Sequence, residues 1–130
     1  MTDRELFDKA CEALHNAYVP YSKFRVGACL LTSDGRIFTG CNVENASYGA
    51  TICAERTAVV KAVSEGATRF TKIAVAAENA VGWPCGICRQ VLFEFSDDMT
   101  VISGNKKTGE FTAITLSQLL PHAFGPNDLI

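Results

Sequence analysis

Residues 71–77 read Thr-Lys-Ile-Ala-Val-Ala-Ala, and the last five of these side chains are all apolar. An uninterrupted apolar run of this length is typical of a β-strand that is covered on both faces. Such a strand needs other strands beside it and helices packed on both sides. The segment therefore predicts an α/β protein built around a sheet.

The chain on either side of this run supplies the other elements. Thr2-Asp-Arg-Glu5 is a capping-box sequence that begins a helix ending before Pro20, and Ser33-Asp34-Gly35 is a hairpin signal between two strands. The predicted order is α-β-β-α-β-α-β-β-α, with strands at 26–32, 36–41, 71–77, 99–103 and 110–114, and later helices at 54–65, at 86–95 and from 115. This order predicts one mixed five-stranded sheet with helices packed on both faces.

Composition narrows the classes of partner. The 130 residues contain twelve basic and fourteen acidic side chains, a formal net charge of −2, whereas a surface that binds phosphate backbones needs a clear basic excess. No repeat or linker interrupts the chain, so we expect a single domain over 1–130. The polar N-terminus lacks the features of a signal peptide, and no apolar stretch approaches the ~18–20 residues of a transmembrane helix. We therefore expect a cytoplasmic protein with neither a nucleic-acid nor a membrane partner.

Six cysteines accompany only two histidines. Disulfides are not expected in a reducing compartment, which leaves metal ligands and core packing as explanations. Cys85 and Cys88 form a Cys-x-x-Cys pair after Pro84, typical of half a zinc site, and Cys53 begins a predicted helix. Three ligands leave a position open, as in catalytic zinc sites, whereas structural sites have four. The isolated cysteines are expected to pack in the interior: Cys11, Cys29 and Cys41.

Two charged residues follow Cys53 directly. Glu55 is placed to act as a general base on a water molecule at the open position, although an acid in the first turn of a helix is also common without any such role. Three thiolates around Zn²⁺ leave one net negative charge, which makes the metal a poorer Lewis acid. We expect Arg56 to offset that charge by hydrogen bonding to the sulfurs, with Arg89 as the second candidate and an exposed surface role as the alternative.

Thr51-Ile-Cys53-Ala-Glu55-Arg56 followed by Pro84-Cys85-Gly-Ile-Cys88-Arg89-Gln90 closely resembles the zinc-dependent cytidine deaminases. The resemblance covers nearly the whole chain, including Tyr21–Ala28, Asn42–Gly49 and Leu120–Pro126. It is to the short homotetrameric form, which acts on free nucleosides and folds as a three-layer sandwich.

The resemblance implies a reaction and a set of roles. One zinc ion per chain, held by Cys53, Cys85 and Cys88, would activate a water molecule that attacks C4 of cytidine or deoxycytidine, and ammonia would leave, as in pyrimidine salvage. Glu55 would carry the protons. The resemblance also implies these substrate contacts: Phe24 and the backbone near Ala54 with the base, Asn42 and Glu44 with the ribose, and Ala46, Tyr48 and Phe124 from neighbouring subunits.

The sequence leaves alternative roles for several of these residues. Asn42 and Glu44 could instead organise a turn after a strand, and Phe124 could pack in a terminal tail. Trp83 and Ile87 stand where the family would have smaller residues. The rival substrates are a nucleotide, free cytosine or a nucleoside antibiotic. A structural zinc module would need a fourth ligand, such as Cys41 or a histidine, and a basic face.

Overall fold

The computed structural model describes residues 1–130. It contains five strands: β1 (Val26–Thr32), β2 (Ile37–Cys41), β3 (Phe70–Ala77), β4 (Thr100–Asn105) and β5 (Phe111–Thr115). They form one sheet in the order β2-β1-β3-β4-β5, in which only β3 and β4 are parallel neighbours. The predicted mixed five-stranded sheet is confirmed, and the strand bounds differ from the predicted ones by at most two residues.

Four α-helices accompany the sheet: α1 (Asp3–Ala13), α2 (Ala54–Ser64), α3 (Gly86–Phe93) and α4 (Leu116–Leu119). The capping box predicted at Thr2 is present, because Glu5 N donates to Thr2 Oγ1 and Thr2 N donates to Glu5 Oε1. Two helix ends were predicted wrongly. α1 ends at Ala13 and α3 at Phe93, because each helix tightens into i→i+3 hydrogen bonds that stop the α-helical pattern.

The apolar run at 73–77 lies in the middle of the sheet and is buried on both faces, as predicted. Ile73 and Val75 face one hydrophobic cluster, which α2, α3 and α4 share. Ala74 and Ala76 face the other, which α1 covers. Helices on both faces are therefore confirmed, and the alternation along β3 follows from the two-residue period of a strand.

Of the three isolated cysteines expected in the interior, Cys29 is buried and the other two are only half-buried, and all six cysteines are free thiols. Cys29 is fully buried in the cluster beneath α1, and Cys11 packs against the edge of that cluster. Cys41, the last residue of β2, is half-buried. No helix combines the length and the apolar character that crossing a membrane requires.

The strand directions bring two helix N-termini to one edge of the sheet. β1 is antiparallel to both β2 and β3, so β2 and β3 run in the same direction and end at the same edge. The chain goes from the end of β2 to α2 and from the end of β3 to α3. The helices that begin after Cys53 and Cys85 therefore start close together.

Gly40 sets how closely α2 approaches the sheet. A Cβ atom built on Gly40 would lie 2.4 Å from the carbonyl oxygen of Ala54 and 2.6 Å from the amide nitrogen of Ala58. Both contacts are with helix backbone, which cannot move aside as a side chain can. The first turn of α2, which carries Cys53 and Glu55, is held against β2 by this contact.

We expect Gly40→Ala to lower the free energy of unfolding by about 2 kcal/mol, because the added methyl group must push the helix backbone away from the strand. Urea denaturation measures this change. Gly49→Ala is the matched control, since a Cβ there would meet nothing within 4 Å and should change stability by less than about 0.5 kcal/mol. Equal stability of the two variants would contradict the close packing of α2 on β2.

Candidate active site

The three cysteines of the motif lie where the two helices begin. Cys53 is the N-cap of α2 and Cys85 is the N-cap of α3, and neither side chain is used to cap its helix. Cys88 lies in the first turns of α3. A helix N-terminus carries a partial positive charge, which favours a thiolate over a thiol. Both helices thus favour ionised sulfur at the same place.

The sulfur geometry suits a zinc ion. The three Sγ atoms all lie within 4.8 Å of one another, and those of Cys53 and Cys85 are 3.8 Å apart. Three sulfurs about 2.3 Å from a tetrahedral zinc ion would be separated by about 3.8 Å. No histidine, carboxylate or further cysteine joins this cluster. The cluster therefore offers three protein ligands, one fewer than a structural zinc site has.

Arg56 contacts the cluster as the charge argument predicts. Its Nη2 atom lies 3.4 Å from Cys53 Sγ and 3.5 Å from the carbonyl oxygen of Thr51. Hydrogen bonds from the Cys88 thiol and from Arg56 lower the pKa of Cys53. The same contact with Cys53 raises the pKa of Arg56, so its guanidinium stays charged. The alternative of a fully exposed Arg56 is wrong, because this side chain is half-buried.

Arg89, the second candidate for that role, has different partners. Its Nε atom donates to the carbonyl oxygen of Pro84 at 2.6 Å, and its Nη1 atom donates to that of Leu119 at 2.8 Å. Arg89 therefore ties the segment before Cys85 to the end of α4. Its hydrogen bonds go to backbone oxygens rather than to sulfur.

Glu55 is buried beside the cysteines, with 4 % of its surface exposed. Burial raises the pKa of its carboxyl group to about 7. An acid whose pKa is near the working pH can both accept and return a proton, as general acid–base catalysis requires. An acid that served only the helix dipole would have no need of burial. The environment therefore favours the catalytic interpretation of Glu55.

A cavity of about 220 Å³ opens beside the cluster and receives Glu55. Of the residues that the sequence associates with the substrate, Phe24, Asn42 and Ala54 line it. Cys53, Glu55 and Cys85 of the motif line it as well. The five lining residues without a role assigned from the sequence are Val26, Thr51, Val75, Gly82 and Trp83, of which only Trp83 stood out as unusual. The full lining is Phe24, Val26, Asn42, Thr51, Cys53, Ala54, Glu55, Val75, Gly82, Trp83 and Cys85. The sequence does not indicate that Val26 and Val75 line a cavity, because both lie in apolar segments typical of any buried strand.

Asn42 holds the backbone that carries Phe24. Its Nδ2 atom donates to the carbonyl oxygen of Phe24 at 2.8 Å, and its Oδ1 atom accepts from the amide of Val26 at 3.0 Å. The amide group is therefore used on both sides to fix the entry to β1. A turn-organising role for Asn42 is observed, and it places Phe24 at the cavity.

Glu44 organises the preceding loop in the same way. Its Oε1 atom accepts from the amides of Tyr21 and Ser22 at 3.0 and 3.1 Å, and the Ser22 hydroxyl donates to Oε2. The Ser22 hydroxyl holds the pKa of this carboxyl below its usual value, so Glu44 is anionic. Glu44 lines a second cavity, of about 330 Å³, which shares Thr51 with the first.

The residues expected to act across subunits lie on the surface of this chain. Ala46, Tyr48 and Phe124 are exposed, with Tyr48 at 76 % and Phe124 at 59 %. Tyr48 packs edge-on against Tyr21, with ring centroids 6.0 Å apart, and lines the second cavity. None of the three lines the cavity that contains Glu55. A larger surface groove of about 620 Å³ beside Arg4 contains none of the motif residues.

Comparison with known proteins gives a consistent result. Residues 1–104 match the family described as the cytidine and deoxycytidylate deaminase zinc-binding region. The cytidine deaminase of Halalkalibacterium halodurans is 50 % identical over 130 residues, which cover 98 % of each chain. That of Sporosarcina psychrophila is 47 % identical over 131 residues, covering 99 % of this chain and 96 % of its own. The crystal structure of the cytidine deaminase from Burkholderia pseudomallei has a TM-score of 0.90 and 45 % identity, covering 95 % of this chain and all of that one.

Arg56→Gln should weaken the retention of zinc, because the thiolates lose the cation that offsets their charge. We expect the variant to lose zinc to a competing chelator about tenfold more readily than the parent protein does. The colour change of the chelator measures this transfer. Arg69→Gln is the control, since Arg69 pairs with the exposed Asp97 instead. Equal zinc loss from all three proteins would reject the role of Arg56.

Proposed function

The chain belongs to the zinc-binding cytidine and deoxycytidylate deaminase family, and from this membership we propose that its cavity hydrolyses cytidine and deoxycytidine to uridine and deoxyuridine. The observation that carries the proposal is a buried carboxyl group, Glu55, beside a three-thiol cluster with no fourth protein ligand. An open metal position next to a proton carrier is what hydrolytic attack on an aromatic amidine requires.

Cys53, Cys85 and Cys88 would hold the zinc ion, one per chain, and bound there it would supply the Lewis acidity that makes water a nucleophile near neutral pH. Glu55 takes a proton from the attacking water and delivers it to N3 of the cytosine ring. A bond forms between the water oxygen and C4. Glu55 then moves a proton to the exocyclic nitrogen, the C4–N bond breaks, and ammonia leaves. Water and cytidine thus give uridine and ammonia without any covalent bond to the protein.

The remaining lining residues bind and orient the nucleoside. The ring of Phe24 packs on the base, and the backbone near Ala54 meets its edge. The first cavity, at about 220 Å³, is smaller than the roughly 300 Å³ at which small-molecule sites begin. It suits the base, and the sugar then extends past Asn42 towards Glu44 and the second cavity. Neutral hydroxyl groups of ribose can bond to an amide and to a carboxylate.

The deciding experiment replaces Glu55. Glu55→Ala should still bind about one zinc ion per chain and yet lose deamination by at least about 10³-fold, because the water loses its proton acceptor. Loss of cytidine absorbance and metal analysis measure the two properties. Glu65→Ala, at the other end of α2, is the control and should keep both. A Glu55→Ala variant that still deaminates cytidine would show that Glu55 is not the proton carrier.

The charge of the second cavity favours a nucleoside over a nucleotide. The anionic Glu44 lies where the sugar extends, and it would repel a phosphate there. We expect kcat/KM for cytidine to exceed that for cytidine 5′-phosphate by at least about tenfold. Glu44→Gln should narrow the difference, whereas Glu65→Gln should not. Preference of the parent protein for the phosphate would overturn the sugar assignment and favour the nucleotide among the rival substrates.

The active form is a homotetramer in which neighbouring subunits complete each site. Support comes from the exposed apolar side chains around the cavity mouth, which a monomer would leave in water. Tyr48 and Ala46 of one neighbour and Phe124 of another would close the pocket over the nucleoside. Sedimentation equilibrium measures the mass of the assembly, which should be four times that of the chain.

The cellular setting follows from the same chemistry. Residues 1–130 act as one catalytic domain in the cytoplasm, where the six free cysteines remain reduced and the three of the cluster are available to a metal. Conversion of free cytidine and deoxycytidine to uridine and deoxyuridine serves pyrimidine salvage. A neutral nucleoside partner agrees with the net charge of −2, and the composition lacks the basic excess that binding to nucleic acid calls for.

A further inference from the structure

Trp83 is the only tryptophan of the chain and one of the lining residues of the cavity that contains Glu55. It remains 37 % exposed, so its indole is a wall of the cavity rather than part of the core. The proposed reaction assigns no role to it. A large flat side chain beside the reacting edge of a small cavity restricts which substrates can enter.

The backbone on both sides of Trp83 is held in place. The hydroxyl of Ser103, a buried residue of β4, donates to the carbonyl oxygen of Gly82. On the other side, Arg89 donates to the carbonyl oxygen of Pro84 at 2.6 Å. The proline that follows also restricts Trp83 to an extended conformation. The indole is therefore attached to a fixed segment and cannot withdraw with a mobile loop.

Trp83 and Glu55 reach the cavity from different segments of the chain. Glu55 belongs to α2, which begins after Cys53, whereas Trp83 lies on the segment that leads through Pro84 to Cys85 and α3. Among the residues that line the cavity without a role in the proposed reaction, Trp83 has the largest side chain, the others being Val26, Thr51, Val75 and Gly82. In the cytosine ring, the reacting carbon C4 has two ring neighbours, N3 and C5. If Glu55 serves N3, then C5 lies on the other side of C4, and Trp83 is the largest lining side chain left to meet it.

We propose that Trp83 is a specificity-determining residue that faces C5 of the pyrimidine and limits the size of a substituent on that carbon. The inference rests on the proposed function and adds a substrate preference to it. One additional methyl group in a filled apolar site typically changes kcat/KM by about 10- to 200-fold. The chain should therefore prefer cytidine to 5-methylcytidine.

The test compares these two nucleosides as substrates. In Trp83→Ser, the ratio of kcat/KM for cytidine to that for 5-methylcytidine should fall by about tenfold, because the space beside C5 opens. Val81→Ser is the matched control: it lies two residues away and lines the groove beside Arg4 instead, and the ratio should stay at the parent value. An unchanged ratio in a Trp83→Ser protein that retains zinc overturns the inference.

A second variant and a second readout keep the test decisive. If Trp83→Ser does not fold, Trp83→Phe should lower the ratio in the same direction by a smaller factor, and an unchanged ratio there also overturns the inference. As the only tryptophan, Trp83 reports occupancy directly: adding uridine should change its fluorescence, and 5-methyluridine should need about a tenfold higher concentration. If uridine and 5-methyluridine change the fluorescence at equal concentrations, the proposed role of Trp83 is wrong. If the parent protein binds uridine more tightly than 5-methyluridine but does not deaminate cytidine, the proposed function is wrong while the role of Trp83 in limiting substituents at C5 stands.

Discussion

The site depends on one constraint, the meeting of two helix N-termini at a single edge of the sheet. β2 and β3 run in the same direction although they are not neighbours, because β1 lies antiparallel between them. The helices that follow them therefore begin side by side, with Cys53 and Cys85 as their N-caps. Two partial positive charges then act on one small volume, which favours thiolate and suits a divalent metal. Gly40 allows this arrangement by letting α2 lie directly on the strand.

Two side chains set the charge and the burial around the sulfur cluster. Arg56 places a cation on the sulfur of Cys53, while Glu55 is enclosed so that its carboxyl group titrates near neutral pH. The two residues are adjacent in sequence and have opposite surroundings, because successive positions of a helix point about 100° apart. One side chain reaches the thiols and the other reaches the cavity. The start of a single helix thus carries a candidate metal ligand, the proposed proton carrier and a cation beside the sulfur.

Prediction from sequence succeeded where the signal is local. The run at 73–77 is the buried strand that its composition indicates, and the hairpin at Ser33–Gly35 joins β1 to β2 as expected. The predicted ends of α1 and α3 were less accurate, because the last turns tighten through i→i+3 hydrogen bonds that the residue types there do not predict. The sequence does not reveal that Asn42 bonds to the backbone of Phe24 and Val26, or that Glu44 accepts from the amides of Tyr21 and Ser22 and from the Ser22 hydroxyl. Arg89 was considered for the sulfurs and binds carbonyl oxygens instead.

The order of residues was enough to predict the class of fold from its periodicity, and to single out Cys53, Cys85 and Cys88 as candidate zinc ligands from their type and spacing. The role expected of Glu55 as proton carrier came from the resemblance to the deaminases. Tertiary structure alone decided how far apart the sulfurs lie, that Glu55 is buried rather than solvated, and that Trp83 stands in the wall of the cavity. The physical reason is distance along the chain: 32 positions separate Cys53 from Cys85. Only the strand order and the packing of helices on the sheet convert that separation into contact.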